Sequence, residues 1–373
     1  MDNCAIRRHC LEVEKLSRLR LLLNLHPDLT YSVVNKVQAN LHREYYLMKL
    51  TQKILMVAGS AAIVGFATAP ATSAEVTLRG ASCWPIGSPP SRPFEALVKD
   101  VNARGKGIIQ IKLLGGAPAI GSPFTLVQKV SKGAYDIAGC TESYYGNVLP
   151  EAPSLHLMTK THAELRKNGG IAYIEKLMNA KNLHFVARHA DYGPFHLWLS
   201  KKIDKPDLTG FNLRVAPVYT AFFKALGGSV QVASMPKIYT LMENKTVQGF
   251  GWPGGAFVPP WMKVTKYQVK PGFYTSAIQT VANLKKWKSL NKAQQDLISK
   301  IGLEYEIAWE PKGPKVQGIM KKSAAMRAKG GMKVIEFKGA VGEKYLKTAY
   351  DEAWKEVIDR SPVHGKALKK LFQ

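Results

Sequence analysis

One stretch, residues 207–252, limits this chain to a mixed α/β fold. It reads as a turn, a short strand, a helical segment and a second strand that reaches Trp252. Pro217 ends the first strand, because proline has no amide hydrogen to donate to a sheet. Arg214 is therefore predicted near the carboxyl end of a strand, where open α/β sheets present ligand contacts. A guanidinium fixed there can hold a carboxylate through two parallel hydrogen bonds, which indicates an anion receptor.

The chain before this stretch alternates between strand and helix patterns. Val76–Ser82, Ile108–Leu114 and Ala134–Gly139 read as strands, and Ser91–Arg104 and Pro123–Lys132 read as the helices between them. This βαβαβ order implies a parallel sheet. A mature chain of about 300 residues exceeds one typical core. We therefore predict two α/β lobes joined by several crossings, with a ligand cleft between the lobes.

The predicted lobe boundaries lie where the chain passes from one lobe to the other. Residues 75–194, together with about 278–318, are assigned to lobe I. Residues 195–277, together with about 319–373, are assigned to lobe II and the C-terminal helices. The last predicted helix is the amphipathic segment Gly342–Asp359.

Residues 48–74 have the three parts of a secretory signal peptide. Met48 opens a short basic region, an apolar run without charges extends from Ile54 to Ala67, and small residues precede a predicted cleavage after Ala74. A retained signal anchor is the alternative, although the uncharged run is barely long enough to span a bilayer. We expect cleavage and a periplasmic location.

Residues 1–47 stand before that signal, whereas export signals normally occupy the amino terminus. We interpret them as a spurious extension from a misplaced start codon. A regulatory or targeting extension is the alternative, and no motif in the segment supports it.

The strongly basic composition favours anionic partners. Lysine and arginine number 53 against 27 acidic residues, for a formal net charge of +26. Such a surface attracts small organic acids, anionic lipid or nucleic acid. The lysines are spread almost evenly from Lys99 to Lys370, without zinc-ligand spacing or an RNA-binding signature. We expect a solvated basic surface and no nucleic-acid partner.

Cys83 and Cys140 are the two cysteines of the predicted mature chain, and each follows a predicted strand. In a sheet with strand order 2-1-3 these strand ends are neighbours, so a disulfide could form in an oxidising compartment. Two reduced, buried cysteines are the equal alternative, because the sequence does not fix the separation of their Cα atoms.

Six short motifs follow one another in a characteristic order. They are Gly-Ala-Tyr-Asp-Ile-Ala (133–138), Ser-Tyr-Tyr-Gly (143–146), Asp-Leu-Thr-Gly-Phe-Asn-Leu-Arg-Val (207–215), Ala-Leu-Gly-Gly (225–228), Ile-Tyr-Thr-Leu (238–241) and Val-Gln-Gly (247–249). Across residues 75–360 the chain resembles the solute-binding proteins of tripartite ATP-independent periplasmic (TRAP) transporters, of the dicarboxylate-binding DctP type. The resemblance implies two α/β domains closing on an organic acid around a long connecting helix, with the carboxylate held by Arg214. It also implies delivery to a pair of membrane permease subunits, and no enzymatic activity.

The chain departs from the family pattern at several positions. The segment Met235–Tyr239 lacks the usual glutamate before its tyrosine, and Gln248 replaces the usual aspartate. In a branch that binds 2-oxo acids, a glutamine and a glutamate hold a metal ion. The matching places fall on or near Pro194 and Gly251, neither of which supplies a side-chain oxygen. We therefore expect no metal and no other cofactor. A second arginine of the sialic-acid branch falls on Phe195, which argues against that ligand.

Aromatic side chains are predicted to complete the ligand site. Trp252 is expected to form an apolar wall, because the glycines and proline around it indicate a rigid bend; a simple core position is the alternative. Trp84 follows the first strand at the cleft edge, with packing as an equal alternative. Of the adjacent Tyr144 and Tyr145, the family pattern favours Tyr145 as the cleft residue. The candidate ligand-binding residues are Arg214, Trp252, Tyr145, Trp84, Phe195 and Glu142.

These observations predict a monomeric receptor for a small organic acid that delivers its ligand to a TRAP permease. The lack of a second cationic or metal anchor, together with the aromatic residues, favours a monocarboxylate with an apolar or keto substituent. The sequence contains no Gly-x-Ser-x-Gly, phosphate loop or His-Glu-x-x-His, so catalysis has little support. The alternative is a periplasmic protein that presents its ligand to a sensor or another partner.

Overall fold

The computed structural model describes residues 74–276 and 278–373. The predicted signal peptide up to residue 73, and the extension before it, lie outside the described residues. Within the described part of the chain, eleven strands form a five-stranded sheet and a six-stranded sheet. No helix of that part is long and apolar enough to cross a bilayer. The predicted α/β class, with two sheets in two lobes, is confirmed.

The first sheet is built mainly from the N-terminal half of the chain. Its strands are β1 Val76–Ser82, β2 Ile109–Gly116, β3 Ile137–Cys140, β4 Leu183–Ala190 and β10 Ile278–Asn283. Their order in the sheet is β2-β1-β3-β10-β4. Strand β1 pairs in parallel with β2 and β3, as the βαβαβ pattern predicts, whereas β10 is antiparallel to β3 and β4. The ends of β1 and β3 therefore lie side by side.

The second sheet contains the arginine strand. Its strands are β5 Phe195–Leu199, β6 Asn212–Val215, β7 Ser229–Val232, β8 Gly249–Pro253, β9 Tyr267–Lys270 and β11 Lys333–Glu336. Their order is β11-β9-β5-β8-β6-β7, so β7 and β11 are the two edge strands. Arg214 lies one residue before the carboxyl end of β6.

Eleven α-helices of the described chain cover these sheets. They are α1 Arg92–Arg104, α2 Leu126–Ser131, α3 His162–Lys167, α4 Gly170–Asn179, α5 Thr220–Ala225, α6 Ile238–Glu243, α7 Leu284–Lys288, α8 Lys292–Ala308, α9 Pro314–Lys329, α10 Gly339–Arg360 and α11 Pro362–Phe372. Helix α8 packs on β4 and α1, and the longest helix, α10, contacts α5 and the short helical segment Ala152–His156. The predicted helix Gly342–Asp359 lies within α10, but the prediction that it is the last helix is wrong. Helix α11 follows, because Pro362 is compatible with a first helical turn.

Two chain crossings lie together at the back of the cleft. One runs from β4 to β5 and the other from β9 to β10. The buried Arg188 guanidinium donates to Asp191 Oδ2 and, at 2.8 Å, to Thr275 Oγ1. The Thr275 hydroxyl in turn donates to Asp191 Oδ2 at 2.8 Å, and Tyr192 N donates to Ser276 Oγ at 2.7 Å. A shared set of hydrogen bonds therefore joins the two crossings.

Candidate functional site

A cavity of about 30 Å³ lies between the two sheets. Its walls come from the chain after β1 and β3, from β5 and β8, from the chain after β6, and from both crossings. Six aromatic side chains line it: Trp84, Tyr144, Tyr192, Phe195, Tyr219 and Trp252. Among the described residues, none that lines the cavity carries a charged side chain. Aromatic walls with few polar anchors are typical of small-molecule sites.

Arg214 lies directly behind this wall and is completely buried. Its Nε donates to the carbonyl of Ala233 at 2.7 Å. Its Nη1 donates to the hydroxyl of Tyr219 at 3.1 Å and to the carbonyl of Gly251 at 3.3 Å. The guanidinium carbon is 5.8 Å from the ring centre of Trp252. Arg214 therefore adjoins two lining residues without itself lining the cavity.

The charge of Arg214 is not balanced by its hydrogen-bond partners in the described chain. All three acceptors are neutral oxygens, and Nη2 has no hydrogen-bond partner there. A buried ion without an opposite charge is unfavourable by several kcal/mol, on the order of the penalty for breaking a buried ion pair. The site can therefore gain free energy by binding an anion next to Nη2.

Tyr219 connects Arg214 to the cavity, and the sequence analysis missed it. Its hydroxyl donates to Gly251 O at 2.6 Å while accepting from Arg214 Nη1. Burial raises the pKa of its phenol above the ordinary value. One sequence signal could have identified Tyr219 as a site residue. It is an aromatic residue five positions after Arg214, in the turn that leads from β6 into α5.

Trp252 and Phe195 form the lobe II side of the wall. Trp252 donates its Nε1 to Ala256 O at 2.7 Å, which fixes the orientation of the indole. The ring of Phe195 is 5.5 Å from that of Tyr219 and 5.6 Å from that of His156. Both predicted residues line the cavity.

On the lobe I side, Trp84 lines the cavity and has no hydrogen-bond partner for its buried Nε1 among the described residues. The residue before it, Cys83, forms a disulfide with Cys140, with a Cα–Cα distance of 5.0 Å. This bond resolves the alternative left open by the sequence. It also ties the chain before Trp84 to the chain before Thr141, another lining residue.

Two sequence candidates lie behind the wall instead of in it. Tyr145 is fully buried and does not line the cavity, whereas its neighbour Tyr144 does. The structure thus places Tyr144 at this cavity and Tyr145 behind it, and a ligand contact of Tyr145 stays a prediction. Glu142 is also buried and does not line the cavity; its Oε2 lies 3.6 Å from His156 Nε2. The short helical turn Glu142–Tyr144 after β3 directs neighbouring side chains to different sides.

Burial leaves Glu142 and His156 uncharged at neutral pH. It raises the pKa of the Glu142 carboxyl to about 8 and lowers the pKa of His156 to about 4. The imidazole of His156 is held by Thr275 O at 2.7 Å and Ser143 Oγ at 2.9 Å. Neutral His156 thus contacts the lining residue Ser143 from behind the wall, and neither His156 nor Glu142 adds a charge there.

The backbone oxygens at the two places matched to the family's metal site are already engaged. Pro194 O accepts the amide of Gly254 at 3.0 Å. Gly251 O accepts from both Tyr219 and Arg214. Across residues 74–276 and 278–373, no group of three or more His, Cys, Asp or Glu side chains is placed to hold a metal ion.

Two sheets that enclose an aromatic cavity beside a buried, unbalanced arginine define a two-lobed solute-binding protein. A sequence profile of the bacterial extracellular solute-binding proteins, family 7 (DctP), matches residues 81–361, and the chain belongs to that family. The resemblance to TRAP solute-binding proteins is thereby confirmed. This is a family of solute receptors and not of enzymes, and its TRAP members work with a membrane permease in the periplasm.

Solved structures of TRAP receptors share the fold. One, from Desulfovibrio salexigens with bound orotic acid, has a TM-score of 0.70 at 19% identity over 79% of this chain and 97% of that one. A Bordetella pertussis receptor binding pyroglutamic acid has a TM-score of 0.68 at 14% identity, covering 79% and 99%. A mixed-occupancy dimer from Bordetella bronchiseptica RB50, with calcium and picolinate in one site, has a TM-score of 0.71 at 20% identity, covering 80% and 92%.

Proposed function

We propose that this protein captures a small organic acid in the cavity between its sheets and delivers it to a TRAP permease, with Arg214 holding the carboxylate. The observation that carries the proposal is the buried guanidinium with neutral partners and an unpartnered Nη2. Solved relatives with orotic acid, pyroglutamic acid and picolinate support an acid as the ligand class.

The carboxylate would approach Arg214 between Tyr219 and Trp252. One oxygen accepts from Nη2, and the other accepts from Nη1, which can exchange its long 3.3 Å bond to Gly251 O for a charged acceptor. Trp84, Phe195 and Trp252 then cover the part of the ligand next to its carboxylate. Because the lining has no second cation, a monocarboxylate with an apolar or keto substituent fits this arrangement better than a dicarboxylate.

We further propose that the protein is exported through residues 48–74 and works in the periplasm as a monomer. The Cys83–Cys140 disulfide supports the location, since such bonds persist in oxidising compartments. Light scattering of the purified protein tests the monomer. We propose neither an enzymatic activity nor a nucleic-acid partner.

The deciding experiment is a ligand screen by thermal shift, followed by calorimetry on Arg214→Ala. The panel contains 2-oxo acids, dicarboxylates, lactate and aromatic acids. Removing the charged partner of a bound carboxylate should weaken binding by about 2–4 kcal/mol. Arg104→Ala is the matched control, because Arg104 pairs with Glu304 on the surface of lobe I. Equal affinity of the Arg214→Ala variant and the wild type would refute the role of Arg214.

A further inference from the structure

A second and larger cavity adjoins the ligand cavity. Its volume is about 410 Å³, and Ser143 and Tyr144 line both cavities. We call it the outer chamber. Besides the two shared residues, its walls include Phe124 and Pro150 from lobe I, Val218 and Val232 from lobe II, and Ala353 and Val357 from α10. It therefore lies, like the ligand cavity, between parts of both lobes.

Most residues that line the outer chamber are apolar; Ser143 and Asn147 add neutral polar groups, and one pair of charged residues lies on α10. These are Glu356 and Arg360, whose Oε1 and Nη1 atoms are 4.0 Å apart. Arg360 Nη2 also donates to the carbonyl of Gly146. Both terminal nitrogens of Arg360, Nη1 and Nη2, thus already have partners. Burial raises the pKa of the Glu356 carboxyl. A second carboxylate in the chamber would meet an acidic side chain and no unengaged cation among its described lining residues.

Tyr144 is the one aromatic residue that lines both cavities among the described residues. Tyr144 packs 5.8 Å from Trp84, which lines the inner cavity, and 4.9 Å from Phe124, which lines the outer chamber. The inner cavity offers space for about two water molecules, at 10–15 Å³ each. A ligand with its carboxylate at Arg214 and more than a few carbons must therefore extend past Tyr144.

We propose that the outer chamber is a second subsite of the ligand site, which receives the apolar end of a monocarboxylic acid whose carboxylate lies at Arg214. This rests on the proposed function and narrows its ligand class. The ligand is an acid with an apolar chain or ring of several carbons, in preference to a short 2-oxo acid or a dicarboxylate. Tyr144 contacts the ligand where it passes from one subsite to the other.

A homologous series of acids measures the subsite directly. Calorimetry, with competition for weak ligands, is applied to propanoate, butanoate, hexanoate and octanoate. Affinity should rise about two- to fourfold for each added methylene, because each one leaves water for an apolar wall. Adipate, which has the six carbons of hexanoate and a second carboxylate, should bind at least tenfold more weakly than hexanoate.

Two matched variants test whether the longer acid chains bind in the outer chamber. Val232 is 49% exposed on the edge strand β7 and lines the outer chamber. Val334 is 52% exposed on the opposite edge strand β11 of the same sheet and lines neither cavity. Val232→Trp should fill the chamber and weaken hexanoate and octanoate binding at least tenfold while leaving propanoate unchanged. Val334→Trp should change none of them.

The outcomes separate this inference from the proposed function. If short and long acids bind equally well, and Arg214→Ala weakens both, the subsite is refuted and the receptor function stands. Tighter binding of adipate than of hexanoate would also refute the apolar subsite. If Val232→Trp weakens octanoate binding but Arg214→Ala does not, the outer chamber binds the chain without a carboxylate at Arg214. The proposal that the two subsites hold one ligand would then be refuted. No binding of any acid would overturn both proposals.

Discussion

Gly251 lies so close to Tyr219 that a methyl group on its Cα would stand 2.5 Å from Tyr219 Cε2. The carbonyl of the same glycine accepts the Tyr219 hydroxyl at 2.6 Å. One residue therefore limits the position of the ring and also holds its polar end. Since that hydroxyl accepts a hydrogen bond from Arg214, the absence of a side chain at position 251 lets the tyrosine and the arginine take their places beside the cavity.

Gly251→Ala should displace the Tyr219 ring and disturb Arg214 with it. We expect at least tenfold weaker acid binding and a loss of about 1–3 kcal/mol in the free energy of unfolding, as for other overpacked interiors. Calorimetry and urea denaturation measure the two effects. Gly318→Ala is the control, because nothing lies within 4 Å of the added methyl group in the middle of α9. That change should leave binding intact and raise stability by up to about 1 kcal/mol. Wild-type affinity in Gly251→Ala would disprove the packing argument.

The disulfide should contribute to both stability and binding. Cys83 and Cys140 close a loop with a sequence separation of 57. Replacing both cysteines by alanine should lower the free energy of unfolding by about 3–4 kcal/mol, chiefly through the entropy of the unfolded chain. Acid affinity should fall several-fold as well, because the bond ties together the segments that present Trp84 and Thr141.

Guanidinium denaturation with and without a reductant checks this prediction. Reductant should lower the transition midpoint of the wild type to about that of the variant. It should leave the midpoint of the variant unchanged. Identical transition midpoints for oxidised wild type and variant would contradict it.

The buried Glu142 should make stability fall as the pH rises. Its pKa is raised from 4.5 to about 8 by burial, so the folded protein holds this proton more tightly than the unfolded chain does. The free energy of unfolding therefore loses a contribution between about pH 4.5 and 8 and no more above 8. Glu142→Gln cannot ionise, so the stability of this variant relative to wild type should increase steadily across that range.

Urea denaturation of both proteins at several pH values between 5 and 8.5 measures this difference. Glu164→Gln is a suitable control, since Glu164 caps α3 on the surface and its pKa is lowered. A difference between Glu142→Gln and wild type that stays constant with pH would rule out a protonated Glu142.

Much of the fold could be predicted because its signals are local. The predicted strand Val76–Ser82 matches β1 residue for residue, and Pro217 correctly indicated the end of the arginine strand. Helix α11 was missed because Ser361-Pro362 resembles a helix end as much as a new start. The disulfide was undecided because it depends on a Cα separation that only the folded sheet fixes.

The site was harder to predict than the fold. Tyr144 and Tyr145 are chemically identical neighbours, and only the direction of a short helical turn decides which one lines the cavity. The role of Tyr219 depends on Gly251, 32 residues later in the chain and adjacent only after β6 and β8 pair. Sequence patterns record residue types and spacing, whereas these two roles depend on how separate segments meet in three dimensions.

The neutral surroundings of Arg214 also bear on the charge balance of solute uptake. Its three hydrogen-bond acceptors are neutral oxygens, so a bound carboxylate would bring the first negative charge into hydrogen-bond contact with this guanidinium. The solute would then reach the membrane still carrying its own negative charge. In the complex that charge would be paired with Arg214, and the two charges would separate only when the ligand is released.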